Sequence, residues 1–228
     1  MKTAFVWFDL GYTLVYRPRE EAYRTALAEL GAAVSLEDLE PGFHLVDKLF
    51  MREFPGVLGR EPGSYMPWFL GLLNHRLGIR VDLCRAWSRL RELDGGAPHW
   101  MPFSCVAGAL EGLRGRGLRL GVITNWDPSA RVLLEHLGLA GYFEHMIVSS
   151  EVGCEKPDPR IFEIALDRAG VSAGRSVYVG DNYYDDSVGA RRVGMGCLVV
   201  NRFGSLGIEE ISDCTVIADI SQVADHLE

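Results

Sequence analysis

Residues 3–14 read TAFVWFDLGYTL, an apolar run that ends abruptly at Asp9. A short apolar run without alternation is typical of a buried strand in a parallel sheet, which is covered on both faces. We therefore predict a strand over residues 3–9. Ligands of open parallel sheets bind beyond the carboxyl ends of the strands, so Asp9 is the first candidate for a functional residue.

Strand-like runs and amphipathic stretches alternate from about residue 100 onward. The runs are residues 118–124, 145–149, 176–180, 197–200 and 215–218, and the helical stretches lie near 105–115, 129–137, 159–169 and 185–193. This alternation is typical of right-handed crossovers between parallel strands. The sequence thus predicts an α/β fold with a Rossmann-like parallel sheet.

The segment from about Pro18 to Asp94 has a helical texture and no clear strand. Residues 20–30 are amphipathic and stop at a glycine, Ser35 begins a capping box, and further helical stretches follow near 65–77 and 82–93. We predict a discontinuous domain, residues 1–16 and 98–228, interrupted by an all-helical domain of residues 17–97.

Composition narrows the classes of function. The formal net charge is −8, which disfavours a broad basic surface for nucleic acid or an anionic membrane. Five scattered cysteines without a CxxC pair are typical of reduced thiols, not of a disulfide framework or a zinc site. Without a signal peptide or an apolar run long enough to span a bilayer, we expect a cytoplasmic protein. The oligomeric state is left open.

Polar residues stand at the ends of several predicted strands. Asp9, Thr124 with Asn125, and Asp181 follow or end strands, and Lys156 lies in a loop before a helix. Two carboxylates, a hydroxyl and a lysine at one edge of a sheet suit phosphoryl transfer. They offer a nucleophile, donors for phosphoryl oxygens and ligands for a magnesium ion.

Four segments, in this order, resemble the four motifs of the haloacid dehalogenase-like hydrolase superfamily. They are Phe8 to Leu14 (FDLGYTL), Gly121 to Asn125 (GVITN), Lys156 to Phe162 (KPDPRIF), and Val179 to Asp186 (VGDNYYDD) followed by Gly189-Ala190. The resemblance spans the whole predicted α/β domain. It also implies that the helical insert between the first two motifs is a cap of the C1 type.

The resemblance implies a magnesium-dependent phosphatase that acts on a small phosphorylated metabolite. Asp9 would attack phosphorus and form an aspartyl-phosphate, which water hydrolyses. Thr124, Asn125 and Lys156 would bind the phosphoryl group. The magnesium ligands would be Asp9, the carbonyl of Gly11, Asp181 and, through water, Asp185 or Asp186, of which Asp186 is the residue we favour.

Gly11 departs from the pattern of the superfamily's phosphatases. These usually carry a second aspartate two residues after the nucleophile, which serves as general acid and then base, and glycine transfers no proton. A positioned acid–base group contributes about 10²–10⁴ in rate, so we expect slow turnover or a preference for good leaving groups. Asp127 is the nearest substitute in sequence, although its place before Pro128 and a helix favours an N-cap.

Two other readings stay open. One is a metal-independent 2-haloacid dehalogenase that uses the same Asp9, but that branch typically has Ser and Asn around the fourth motif, where this chain has Gly180-Asp181. The other is a catalytically weakened member that serves as a binding module. A phosphonate hydrolase would need a cap lysine, and Lys48 is the only lysine in the insert, without other support.

Overall fold

The computed structural model describes residues 2–95 and 99–227. The chain divides into two compact units, unit 1 of Met1–Tyr16, Met101–Ser205 and Glu210–Glu228 and unit 2 of Arg17–Trp100 and Leu206–Glu209. The predicted boundary between residues 97 and 98 lies outside the described residues. The role of unit 2 as a cap stays a prediction.

The strands of the described residues belong to unit 1. They are β1 (Phe5–Phe8), β2 (Val15–Tyr16), β3 (Met101–Pro102), β4 (Arg119–Thr124), β5 (His145–Val148), β6 (Ser176–Gly180), β7 (Gly196–Val200) and β8 (Thr215–Ile217). Six of them form one sheet in the order β5-β4-β1-β6-β7-β8, in which every neighbouring pair is parallel. The predicted α/β fold class is confirmed.

Helices occur in both units. Those of unit 2 are α1 (Arg19–Glu29), α2 (Leu36–Glu53), α3 (Met66–Arg76) and α4 (Leu83–Leu93), and those of unit 1 are α5 (Val106–Gly115), α6 (Ser129–His136), α7 (Ser149–Val152), α8 (Pro159–Ala169) and α9 (Val188–Arg192). A π-helix over Tyr183–Ser187 directly precedes α9. Within the described ranges, no helix is long and apolar enough to cross a membrane.

Strand β1 is the centre of the sheet. Its residues FVWF are all fully buried, as expected for a strand covered on both faces. Trp7 lies so close to β4 that a Cβ on Gly121 would stand 2.4 Å from its ring. Glycine at this position therefore permits the large indole to fill the space beside the neighbouring strand.

Unit 2 is held by its own aromatic core. Ser35 caps α2 by accepting a hydrogen bond from the Asp38 N–H, as the predicted capping box requires. Inside, Tyr23 packs edge-on against Phe43 and donates its hydroxyl hydrogen to Asn74 Oδ1 at 2.8 Å. The core also contains Phe50, Phe69 and several leucines, so unit 2 buries an apolar interior of its own.

Several element bounds differ from those predicted. The strand predicted over residues 3–9 spans only Phe5–Phe8, although the Asp9 N–H still bonds to the Val179 carbonyl at 2.9 Å. Ser149 begins helix α7 instead of ending a strand. The antiparallel pair β2–β3 was not predicted, because strands of two residues are too short to show periodicity.

Candidate active site

The carboxyl ends of the three central strands carry the predicted polar residues. Asp9 directly follows β1, Thr124 is the last residue of β4, and Asp181 directly follows β6. All three side chains are buried. Since β1 lies between β4 and β6, the sheet brings these residues to one edge, as predicted.

Lys156 lies at the centre of the site. Its Nζ donates to Asp9 Oδ1 at 2.7 Å, to Asp186 Oδ1 at 2.6 Å and to the Tyr178 hydroxyl at 2.9 Å. These three bonds use all three donors of the ammonium group. The residue is only 5% exposed, so Lys156 is a buried cation that joins two carboxylates.

Asn125 holds the backbone of Lys156. Its Nδ2 donates to the Lys156 carbonyl at 2.9 Å, and its Oδ1 accepts from the Lys156 N–H at 2.8 Å. Both ends of the side-chain amide are thereby engaged within the protein. Asn125 thus positions the backbone of Lys156, and the substrate-binding role that the family resemblance implies for Asn125 stays a prediction.

The π-helix determines which of two neighbouring aspartates enters the site. Asp186 bonds to Lys156 and accepts the Asn182 N–H on Oδ2 at 2.9 Å, whereas Asp185 accepts only from the Asn182 amide among the bonds described for it, at 2.7 Å. A Cβ on Gly180 would lie 2.1 Å from Asp186 Oδ2. The site therefore needs glycine at position 180 for Asp186 to approach.

Tyr178 and Asn182 are site residues that sequence reasoning missed. The Tyr178 hydroxyl accepts from Lys156 and donates to the Ile123 carbonyl at 2.8 Å. The Asn182 side chain accepts from the Tyr184 and Asp185 N–H groups at the start of the π-helix. The sequence shows only that Tyr178 places a hydroxyl within an apolar strand and that Asn182 stands at a helix start. Both patterns are common in residues without a functional role.

Three carboxylates form the one cluster in the described ranges that is able to hold a metal ion. Asp9, Asp181 and Asp186 each offer an oxygen, and these oxygens lie within 4.8 Å of one another. A carboxylate has about four lone-pair sites, so the bonds that Asp9 and Asp186 make to Lys156 leave acceptor capacity. An all-oxygen donor set suits a hard cation such as Mg²⁺.

Burial and charge shift the titration of the central pair. Burial raises the pKa of Asp9 to about 7. The positive charge of Lys156 lowers this pKa, but the negative charges of Asp186 and Asp181 raise it and so partly cancel the effect of Lys156. Burial alone would lower the pKa of Lys156, but Asp186 and then Asp9 outweigh it and hold that pKa well above its usual range. Lys156 therefore stays protonated, whereas the protonation of Asp9 depends on pH.

The contribution of Asp9 to the stability of the metal-free protein should fall as the pH rises from about 4 to 7. Between the ordinary pKa of 3.8 and the raised value of about 7, folded Asp9 holds a proton that the unfolded chain has lost, so the free energy of unfolding falls with pH. Asp9→Asn lacks this titration, so its stability relative to the wild type should increase from pH 4 to pH 8. The two should differ little near pH 4.

Urea unfolding in chelator at pH 4, 6 and 8 checks this expectation. A difference between the two proteins that does not change with pH would contradict it.

Gly11 lies in the turn that follows Asp9. It forms an isolated bridge with Val15, and the next residue, Tyr12, has a φ of 54°. Gly11 itself is not among the residues of positive φ in the described part of the chain. A left-handed φ is therefore not the reason for glycine at this position.

Asp127 is a poor substitute for the missing acid. Its Oδ1 accepts the Ser129 N–H at 2.7 Å, but the N-cap of α6 is Pro128, so the N-cap role predicted for Asp127 is wrong by one residue. Hydrogen bonds from Ser129 lower the pKa of Asp127. The exposed carboxyl therefore stays ionised at neutral pH and has no proton to donate.

Comparisons with known proteins agree on one family. A family model described as haloacid dehalogenase-like hydrolase matches residues 84–200. Haloacid dehalogenase-like hydrolase domain-containing protein 3 of Mus musculus is 42% identical over 200 residues, which cover 85% of this chain and 80% of that protein. The glyceraldehyde 3-phosphate phosphatase of Pyrococcus abyssi is 39% identical over 203 residues, which cover 83% of this chain and 78% of the phosphatase.

A solved structure adds a relative with a different chemistry. The 2-haloacid dehalogenase of Pseudomonas syringae pv. tomato is 29% identical, with a TM-score of 0.55 over 98% of this chain and 97% of that chain. The similarities thus cover most of the chain and include proteins named for phosphate release and for halide release.

Proposed function

This chain belongs to the haloacid dehalogenase-like hydrolase family, and on that premise we propose that it is a magnesium-dependent phosphomonoester hydrolase. The substrate would be a small phosphorylated metabolite. Similarity to the glyceraldehyde 3-phosphate phosphatase of Pyrococcus abyssi supports a phosphate ester as the class of substrate. The proposal includes Asp9 as the nucleophile and unit 2 as a cap.

The convergence of Asp9, Asp181 and Asp186 is the observation that carries the proposal. Carboxylates whose oxygens lie within 4.8 Å repel one another unless a cation offsets their charge. Lys156 supplies one positive charge for three carboxyl groups, so the cluster retains an attraction for a divalent ion. In a metal-independent dehalogenase the family resemblance leads us to expect Ser and Asn around the fourth motif, where this chain has Gly180-Asp181.

Asp9 begins the reaction we propose. Lys156 occupies its Oδ1, which leaves Oδ2 to attack phosphorus in line. The bond from phosphorus to the leaving oxygen breaks, and the leaving oxygen takes the electron pair. Water then attacks phosphorus, the bond from phosphorus to Asp9 Oδ2 breaks, and Asp9 returns to a carboxylate while both hydrogens of the water leave with inorganic phosphate.

Other residues of the site would offset negative charge and bind the phosphoryl group and the metal ion. Lys156 offsets charge on Asp9 and on the transferring group, and the Thr124 hydroxyl would donate to a phosphoryl oxygen. Asp9, Asp181 and Asp186, with the Gly11 carbonyl, would hold the magnesium ion. When bound, the ion supplies positive charge that stabilises the phosphoryl oxygens.

Chelation should remove the activity reversibly. With a generic aryl phosphate, excess chelator should reduce phosphate release to the uncatalysed rate, and added magnesium should restore it. Asp181→Asn should shift the magnesium concentration needed for half-maximal activity upward, because one of the three carboxylates is lost. Full activity in excess chelator would contradict metal dependence.

Measuring halide release beside phosphate release distinguishes the second candidate function from the first. A 2-haloacid dehalogenase, supported by the similarity to the Pseudomonas syringae enzyme, would release halide from a 2-haloacid in the presence of chelator. We expect no halide release and clear phosphate release with magnesium. A protein that does neither across a panel including glyceraldehyde 3-phosphate would point to a binding module.

A further inference from the structure

Two cysteines stand next to the paired segments of the outer strands β7 and β8. Strands β7 and β8 are parallel, and their first registered pair is Leu198 with Thr215. One residue back on each side are Cys197, within β7, and Cys214, directly before β8. Both thiols are free and partly buried.

We propose that Cys197 and Cys214 are a dithiol pair that forms a reversible intramolecular disulfide. Neighbouring strands lie about 4.7–4.9 Å apart, and a disulfide requires Cα atoms about 4.4–6.8 Å apart. Because the registered pairing of β7 and β8 begins one residue after each cysteine, the strand spacing places Cys197 and Cys214 near this range.

The other cysteines lack this arrangement. Cys84 lies in α4 of unit 2, and Cys105 directly precedes α5. Cys154 follows α7 and packs against the same apolar cluster as Cys197, but it is not on a strand. Cys154 is thus the natural competitor in a test of the pairing.

Side chains next to the two cysteines connect them to the π-helix of the candidate active site. Asp213, next to Cys214, accepts from the Tyr183 hydroxyl at 2.9 Å and pairs with Arg191 of α9. Tyr183 begins the π-helix that carries Asp186. A disulfide would tie this corner of the sheet covalently, and the inference does not depend on the proposed phosphatase activity.

The oxidant for this reaction is a small disulfide such as oxidised glutathione. One cysteine thiolate attacks it, forms a mixed disulfide and releases one thiolate. The second cysteine then attacks the cysteine sulfur of the mixed disulfide and releases the other. Two protein thiols and one small disulfide thus give one protein disulfide and two small thiols.

The exchange should be slow at neutral pH. Burial raises the pKa of both thiols, that of Cys214 to about 11, and Asp213 adds to both shifts while Arg191 opposes them. Asp186 also raises the pKa of Cys197. Because the thiolate is the reacting form, the oxidation is best carried out at about pH 9.

Peptide mapping of the full chain tests the pairing. After oxidation, alkylation of free thiols and tryptic digestion without reductant, residues 193–202 and 203–228 should appear as one cross-linked peptide, two hydrogens lighter than their sum. The melting temperature of the wild type should rise by about 5–10 °C and return on reduction. Cys214→Ser should lose both effects, and Cys154→Ser should keep both.

Three outcomes would overturn the proposal. The first is full alkylation of both cysteines after oxidation, and the second is a cross-link from Cys197 to Cys154. The third is a rise in melting temperature that persists in Cys214→Ser. A melting temperature of reduced Cys214→Ser equal to that of the reduced wild type verifies that the variant folds.

Discussion

Replacing Asp9 by asparagine should reduce phosphate release from an aryl phosphate by about 10⁴-fold or more. The amide has the shape of the carboxylate but is not a nucleophile toward phosphorus, so the covalent route is lost. The protein should stay folded, because Lys156 keeps its bonds to Asp186 and Tyr178. Steady-state kinetics and circular dichroism on the same preparation measure the two expectations.

Asp167→Asn is the matched control. Asp167 lies exposed on α8, so this variant makes the same chemical change outside the site and should retain the wild-type rate. If Asp9→Asn kept a tenth of the activity, Asp9 would not be the nucleophile. The magnesium requirement would then need another explanation.

Gly11→Asp should raise the rate on alkyl phosphates by about 10²–10⁴. The wild type lacks the second aspartate of the family's phosphatases, so it should turn over aryl and acyl phosphates far better than alkyl phosphates of similar size. The leaving oxygens of the former need little protonation. Because the backbone of Gly11 is outside the left-handed region, an aspartate at this position meets no φ penalty.

Gly11→Asn separates proton transfer from shape. Asparagine has nearly the size of aspartate but transfers no proton, so it should leave the rate on alkyl phosphates unchanged or lower it. A wild type with no leaving-group preference would contradict the idea and imply a substitute acid. An aspartate variant that folds and binds magnesium but is slower on every substrate would contradict it as well.

The positions of the site residues were predictable because they depend on topology. Asp9 and Thr124 end runs of buried apolar residues, and parallel strands deliver such residues to one edge whatever the details of packing. It was harder to predict from the sequence which of the two aspartates, Asp185 or Asp186, enters the site. This depends on the π-helix, whose extra residue per turn has no periodic signature in five residues.

The bonds around Lys156 were beyond sequence reasoning for a different reason. Tyr178 stands in the run SVYVG and resembles any core residue of a strand. Its hydroxyl belongs to the site only because the loop that carries Lys156 brings the ammonium group of that residue within hydrogen-bond distance of it. The side chains of two residues that are 22 positions apart in the chain meet through tertiary packing, which a local sequence pattern does not describe.

The central place of β1 has a consequence for the order in which the protein assembles. Strand β1 is synthesised before both strands with which it pairs, β4 and β6, whose residues lie more than a hundred positions later in the chain. At synthesis rates of about 5–20 residues per second, β1 waits roughly 10–35 s for its second neighbour. During that time the segment FVWF is an unpaired, fully apolar strand on a nascent chain, so we expect it to be the part of this protein that most needs protection by chaperones.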